Sequence, residues 1–124
     1  MTINPTCPIS QAAQTLGKKW VLEIIYYLRE QKRFCELQDS VGAINPATLS
    51  SRLKELEKDE IIHRFEIIGV PRHVEYTLTQ KGRELIPIMY TLADWVQKWH
   101  GDDISLIDGE RITVEEIDGY RKLR

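Results

Sequence analysis

The sequence predicts a mainly α-helical domain with one small β-hairpin, and three neighbouring stretches carry that expectation. In residues 45–56, Asn45 suits a helix cap, Pro46 the first helical position, and Leu49, Leu53 and Leu56 fall on one stripe. Just before it, Phe34, Leu37 and Val41 form a shorter apolar stripe, joined to the first by Gly42-Ala43-Ile44. Just after it, Ile61 to Ile68 and Arg72 to Leu78 are rich in β-branched and aromatic residues and are parted by Gly69-Val70-Pro71. A short helix, a tight turn, a capped helix and a hairpin together spell a winged helix-turn-helix.

The second helix has a distinctive outer face. At 100° per residue, Ala47, Ser51, Lys54 and Lys58 lie opposite the leucines, flanked by Thr48 and Glu55. Small, hydroxylated and part basic, this face can approach another surface closely and donate hydrogen bonds. It reads as a helix that enters the major groove of double-stranded DNA.

The 124 residues make one domain with room for a core. An apolar fraction of 42% and a charged fraction of 29% are ordinary for a globular protein. With no apolar run long enough for a bilayer and no leader-like N-terminus, the expectation is a cytoplasmic protein without a membrane partner. Cys7 and Cys35 form neither a disulfide framework nor a Cys-x-x-Cys metal site. Net charge is −2, but residues 102–124 hold 7 acidic against 4 basic side chains, leaving 13 basic and 12 acidic in 1–101. Global charge therefore decides nothing about nucleic acid; a local basic face does.

Taken in order, residues 1–9 carry Pro5 and Pro8 and read as an extended arm. Ser10 caps a short helix through Leu16, ended by Gly17. A second helix opens at Lys18-Lys19-Trp20 and runs to about Arg29, with Val21, Ile24, Ile25 and Leu28 inward. Gln31-Lys32-Arg33 links it to the helix-turn-helix. In the hairpin's return strand Val74, Tyr76 and Leu78 alternate inward, and His73, Glu75 and Thr77 outward.

Thr79 caps a last long helix to about His100, with Pro87 in an early turn as a source of a kink. Its face of Leu85, Ile88, Met89, Leu92, Trp95, Val96 and Trp99 is broader than one small domain needs. Two readings are open: core of the same chain, or a homodimer interface with Leu92, Trp95 and Trp99 at its centre. Residues 102–124 form an acidic appendage, in which Thr113-Val114-Glu115-Glu116 has the pattern of a capping box.

Several blocks, in unbroken order over residues 6–100, resemble the HxlR-type transcriptional regulators, winged-helix relatives of the MarR class. They are Cys7-Pro8-Ile9, Gly17-Lys18-Lys19-Trp20, residues 33–37, residues 44–56 and Val74-Glu75-Tyr76-Thr77-Leu78-Thr79-Gln80-Lys81-Gly82. The resemblance implies a homodimer, joined through terminal helices, that binds pseudo-palindromic DNA. It sets the winged helix-turn-helix domain at 1–101 and the appendage at 102–124. It also implies a sensing role for the cysteine that Cys7 matches, towards a small electrophile or oxidant. The chain departs from the family pattern at Lys18, where a second Gly is usual, at Cys35, where Asn is usual, and at Glu60, where Gly is usual. If the site needs φ > 0, Glu60 caps the helix less well than Gly there, at a cost of up to about 1 kcal/mol.

For DNA contact, Thr48 and Ser51 are placed near base edges, with Asn45 at the start of the same helix. Arg52 lies close to the leucine stripe, so it either reaches DNA or bonds a neighbouring helix. Lys54, Lys32, Arg33 and Arg72 are phosphate candidates, and His73 sits with Arg72 near the hairpin tip. Lys18, Lys19, Lys32 and Arg33 are equally readable as solvated charge. Cys7, exposed and near Lys18 and Lys19 if the arm folds back, is the redox candidate, against an inert thiol. Cys35, beside Phe34, reads as buried packing. His63, His73 and His100 have no ligand spacing, so no metal is expected, although His63 and His73 lie on opposing strands. No nucleophile–base pair or phosphate-binding Gly loop is present, so neither an enzyme nor a cofactor is expected. A winged-helix protein-interaction module is the other class; Ser51, Lys54 and Arg72 argue against its acidic or neutral recognition face.

Overall fold

A computed structural model describes residues 7–100. Most of the expected N-terminal arm and the whole acidic appendage, with its capping-box pattern, lie outside the described residues.

Helix α1 (Pro8–Leu16) starts earlier than the arm reading allows, with Cys7 at its cap and Pro8 at N1. Proline's preset φ and missing N–H suit that position. Helix α2 (Val21–Tyr27) starts later than expected, because Trp20 has φ 78° and cannot extend a right-handed helix. Lys19 Nζ lies 5.0 Å from the centre of the Trp20 ring, covering that turn.

Strand β1 (Lys32–Arg33) was not foreseen; it leads into α3 (Phe34–Val41). Two residues are too few to show alternation, so only pairing reveals the strand. Gly42, at φ 98°, turns the chain towards α4 (Pro46–Lys58). There the Asn45 side chain accepts a 2.8 Å hydrogen bond from the Ala47 N–H, as the cap reading expects.

Helix α4 ends with Glu60 at φ 62°. Ile61 N–H donates to Leu56 C=O at 2.9 Å, and Glu60 N–H to Glu57 C=O at 3.0 Å. These two bonds define a Schellman ending with a glutamate in the left-handed position.

Strands β2 (Ile62–Ile67) and β3 (His73–Leu78) form the wing, paired from Ile62 opposite Leu78 to Ile67 opposite His73. With β1 they make a three-stranded antiparallel sheet in the order β1-β3-β2. Leu78 is buried, but the expected clean alternation along β3 is not found: His73, Glu75 and Thr77 are as half-buried as Val74 and Tyr76. β3 is the middle strand, flanked by β2 along its length and by β1 at Glu75 and Tyr76, so its side chains have cross-strand neighbours on either face.

The single last helix is instead two, α5 (Gln80–Arg83) and α6 (Ile86–His100). The Thr79 hydroxyl accepts from Gly82 N–H and lies 2.6 Å from Glu60 C=O, to which it donates. A Cβ on Gly82 would come within 2.3 Å of Ile61 O, so only glycine lets the two segments touch. Pro87, the second residue of α6, lies where a missing N–H costs little, and the chain restarts there rather than kinking.

The core gathers Val21, Ile24, Ile25 and Leu28 of the α2 segment, Leu37, the leucines of α4, Ile62, Leu78, Ile86 and Met89. No helix among the described residues is long and apolar enough to cross a membrane.

The Schellman glutamate supplies a stability test. Glu60→Gly should raise unfolding free energy by up to about 1 kcal/mol through relief of the positive φ, and Glu60→Ala should not. Urea denaturation measures both.

Candidate nucleic-acid interface

Burial of Leu49, Leu53 and Leu56 sets the rotation of α4. Ala47, Ser51, Lys54 and Lys58 are consequently exposed, and Thr48 is half-buried at their edge. Asn45 begins the same surface, with its side-chain oxygen engaged by the helix cap.

Arg52 does not stand free on this face. Its Nε donates to Lys19 C=O at 3.0 Å, and its Nη1 lies 3.5 Å from the Glu55 carboxylate, which also holds Lys18 Nζ at 2.9 Å. This Lys18–Glu55–Arg52 cluster ties α4 to the turn that precedes α2. Of the two readings open for Arg52, the bond to a neighbouring element is the one seen.

Lys32 and Arg33, grouped by the sequence, are separated by the sheet. Side chains opposite one another across strands share a face. Lys32 therefore shares a face with Tyr76 and Arg64, whereas Arg33 shares one with Glu75 and Phe65. Tyr76 and Arg64 line a groove with Ser50, Leu53, Lys54 and Glu57 of α4, which identifies the first face as the helix side. Arg64 was not among the sequence candidates, although its two-residue spacing from buried Ile62 signals that face.

At the wing, Arg72 is exposed. His73 is committed to its own strand: Nδ1 lies 3.0 Å from Pro71 C=O and Nε2 lies beside the Glu75 carboxylate. Glu75 also accepts from the Gln31 amide. That bond, with the His73 contact second, holds the Glu75 carboxyl below its usual pKa. His63 is opposite Thr77 and stacks on Phe65 at 5.6 Å, so the register separates it from His73. Among the described residues no three His, Cys, Asp or Glu side chains gather as a metal site.

Cys35 is exposed, not buried, because the inward face of α3 is Phe34, Leu37 and Val41 and Cys35 is turned 100° from Phe34. Cys7 is half-buried at the start of α1. Its thiol pKa is lowered first by the Ser10 backbone N–H, then by the Ser10 hydroxyl and the Ile9 N–H. The lysines proposed for that role lie elsewhere, Lys18 on Glu55 and Lys19 over Trp20.

Helix α6 divides its apolar side chains between two faces. Ile86 and Met89 enter the core, while Ile88, Leu92, Trp95 and Trp99 are 51%, 46%, 59% and 67% exposed. Their i, i+4, i+7, i+11 spacing makes one outward ridge. Beside it Leu22, Glu23, Tyr26, Tyr27, Met89, Leu92 and Ala93 line an apolar groove of about 250 Å³.

Known proteins share both sequence and architecture with this chain. The profile of the HxlR-like helix-turn-helix family matches residues 15–103. An HTH-type transcriptional regulator of Halalkalibacterium halodurans is 44% identical over 90 residues, 71% of this chain and 80% of its own. The reduced form of the transcriptional regulator YodB from Bacillus subtilis aligns with TM-score 0.69 and 35% identity, covering 80% of this chain and 99% of that one. YodB in its quinone-bound form gives 0.66 and 35%, covering 76% and 100%. The redox regulator HypR in its oxidised form gives 0.68 and 33%, covering 79% and 100%.

The Cys7 environment has a measurable consequence. In a Cys35→Ser background, the alkylation rate of Cys7 should rise with pH through a midpoint below that of a free cysteine measured alongside it. Ser10→Ala should move that midpoint up, because one of the donors that favour the thiolate is gone. Iodoacetamide labelling followed by mass spectrometry reads both.

Proposed function

Because this chain belongs to the HxlR-like helix-turn-helix family, whose members here are transcriptional regulators, we propose that it binds a pseudo-palindromic operator as a homodimer and responds to thiol-reactive signals through Cys7. Residues 1–101 are the DNA-binding unit in this proposal and 102–124 an appendage to it, and the protein works in the cytoplasm on the DNA it regulates. The observation that carries the reading is the exposed face of Ala47, Ser51 and Lys54, with small side chains at the N-terminal end of a helix flanked by a wing. Thr48 and Ser51 meet base edges there; Lys54, Lys32 and Arg72 meet phosphates, with Asn45 and His73 bordering the two sets, while Arg33, on the sheet face away from α4, stands outside them. Arg52 serves as a positioning residue, setting the angle of α4 through Lys19 and Glu55.

The ridge of Ile88, Leu92, Trp95 and Trp99 supports the dimer, since so much exposed apolar surface on one helix suits a subunit contact. Two half-sites about one helical turn, roughly 34 Å, apart must be read together, so a change in the relative angle of the protomers misplaces one reader. The similarity to YodB, known in reduced and quinone-bound forms, and to the redox regulator HypR supports a redox or quinone-type signal for this chain. The lowered thiol pKa supports Cys7 as its receiver.

Trp95→Glu should convert a dimer into a folded monomer, read by sedimentation velocity with circular dichroism as the folding control. A wild-type chain that sediments as a monomer at micromolar concentration overturns the dimer. For DNA, a selection of bound genomic fragments supplies the operator. Ser51→Ala should then lower preference for operator over scrambled duplex by roughly 1–3 kcal/mol, whereas Arg72→Ala should weaken both alike. Diamide should release operator from the Cys35→Ser protein but not from Cys7→Ser; identical responses would move the sensor away from Cys7.

A further inference from the structure

Arg64 sits on β2, opposite Tyr76 of β3, which is in turn opposite Lys32 of β1. A row of cation, phenol and cation therefore crosses the sheet on a single face. That face borders the groove of about 290 Å³ whose other wall is Ser50, Leu53, Lys54 and Glu57 of α4. Arg64 and Lys54 are both exposed, and among the described residues neither has an ion-pair partner. This contrasts with Arg52, Lys18 and His73, whose polar atoms are bound within the fold.

We infer that the groove between α4 and the wing sheet is a seat for a phosphate of the DNA backbone, with Arg64 as its principal donor. The inference rests on the DNA-binding reading above and adds a residue and a site to it. The chemistry favours a phosphate. A guanidinium presents a planar fork that matches two oxygens of one anion, Lys54 supplies a point charge from the opposite wall, and the Ser50 and Tyr76 hydroxyls add neutral donors. Position favours backbone over base. The groove lies to the side of the exposed Ala47–Ser51 face, and a helix lying in the major groove has a sugar-phosphate strand at its flank. Glu57, one turn further along α4, also lines the groove and repels an anion. It confines the seat to the end nearer Ser50 and Lys54.

The test uses the full-length chain, the operator obtained by fragment selection, a scrambled duplex, and chloride titrations of binding to each. Arg64→Ala should weaken binding to both duplexes about equally, by about tenfold if one charge-assisted hydrogen-bonded contact is lost. It should also reduce the slope of log affinity against log salt by about 1 for each contact removed. Arg64→Lys, which keeps the charge, should recover the slope, and Glu57→Gln should strengthen binding to both duplexes. Thermal melting of each variant separates loss of contact from loss of fold, and Arg64→Gln, which removes the charge but keeps a long polar side chain, carries the test with the same expected losses if Arg64→Ala melts early. Wild-type affinity and slope in a folded Arg64→Ala protein overturn the seat while leaving the DNA-binding reading intact. A loss confined to the operator also overturns it, since that would make Arg64 a base reader. Absence of any duplex binding by wild type overturns the DNA-binding reading itself, and the seat with it.

Discussion

Burial of Leu49, Leu53 and Leu56 in the core they share with Ile24, Ile25, Leu28, Leu37 and Ile62 is the constraint from which the rest of the interface follows. Each leucine is almost wholly removed from solvent, at roughly 1.5–3 kcal/mol apiece, so α4 has one rotation about its axis and no competing one. That rotation turns Ala47, Ser51 and Lys54 outward. It also brings Arg52 and Glu55 alongside the turn at Lys18 and Lys19, and Ser50, Lys54 and Glu57 alongside the sheet. A change of rotation would undo all three relations together.

The wing depends on the same helix through its ending. Glu60, held in the left-handed region by the two Schellman bonds, redirects the chain so that Ile61 and Ile62 enter the core and β2 returns along α4. The Thr79 hydroxyl closes this corner from the other side by donating to Glu60 C=O. Gly82 lets α5 approach Ile61 closely enough for that bond. The position of the hairpin is thus determined by a helix terminus and one glycine, while its outer end, with Ile68 and Val70 almost fully exposed, touches little of the domain.

Helix α6 shows how one apolar helix serves two surfaces. Ile86 and Met89 seal the core next to α2, and Arg29 extends that contact by donating to the Tyr90 hydroxyl while its guanidinium lies 3.8 Å from the centre of the Tyr26 ring. The ridge from Ile88 to Trp99 faces away. Sequence periodicity registers both sets as a single broad stripe, because hydrophobicity records the preference for burial and not the partner that provides it.

Local chemistry was legible in the sequence wherever it acts within a few residues. The Asn45 cap, Pro46 at N1, the leucine stripe of α4 and the hairpin all follow from dihedral preferences and periodicity, whereas the left-handed position of Glu60 was signalled only by the glycine usual there in the family the chain resembles. Relations between distant segments were not legible. Strand β1 exists only because Tyr76 and Glu75 are there to pair with it. Trp20 takes φ 78° under tertiary packing, and the α5–α6 break follows where Gly82 meets Ile61. Cys35 faces solvent because Leu37 determines which side of α3 is inward. The same holds for charge. The sequence by itself determined which residues are basic and which helix presents them. Only the tertiary structure decided that Arg52 is tied to Lys19 and His73 to Glu75 while Arg64 and Lys54 share a groove, because ion pairs and grooves are made by segments that meet in space.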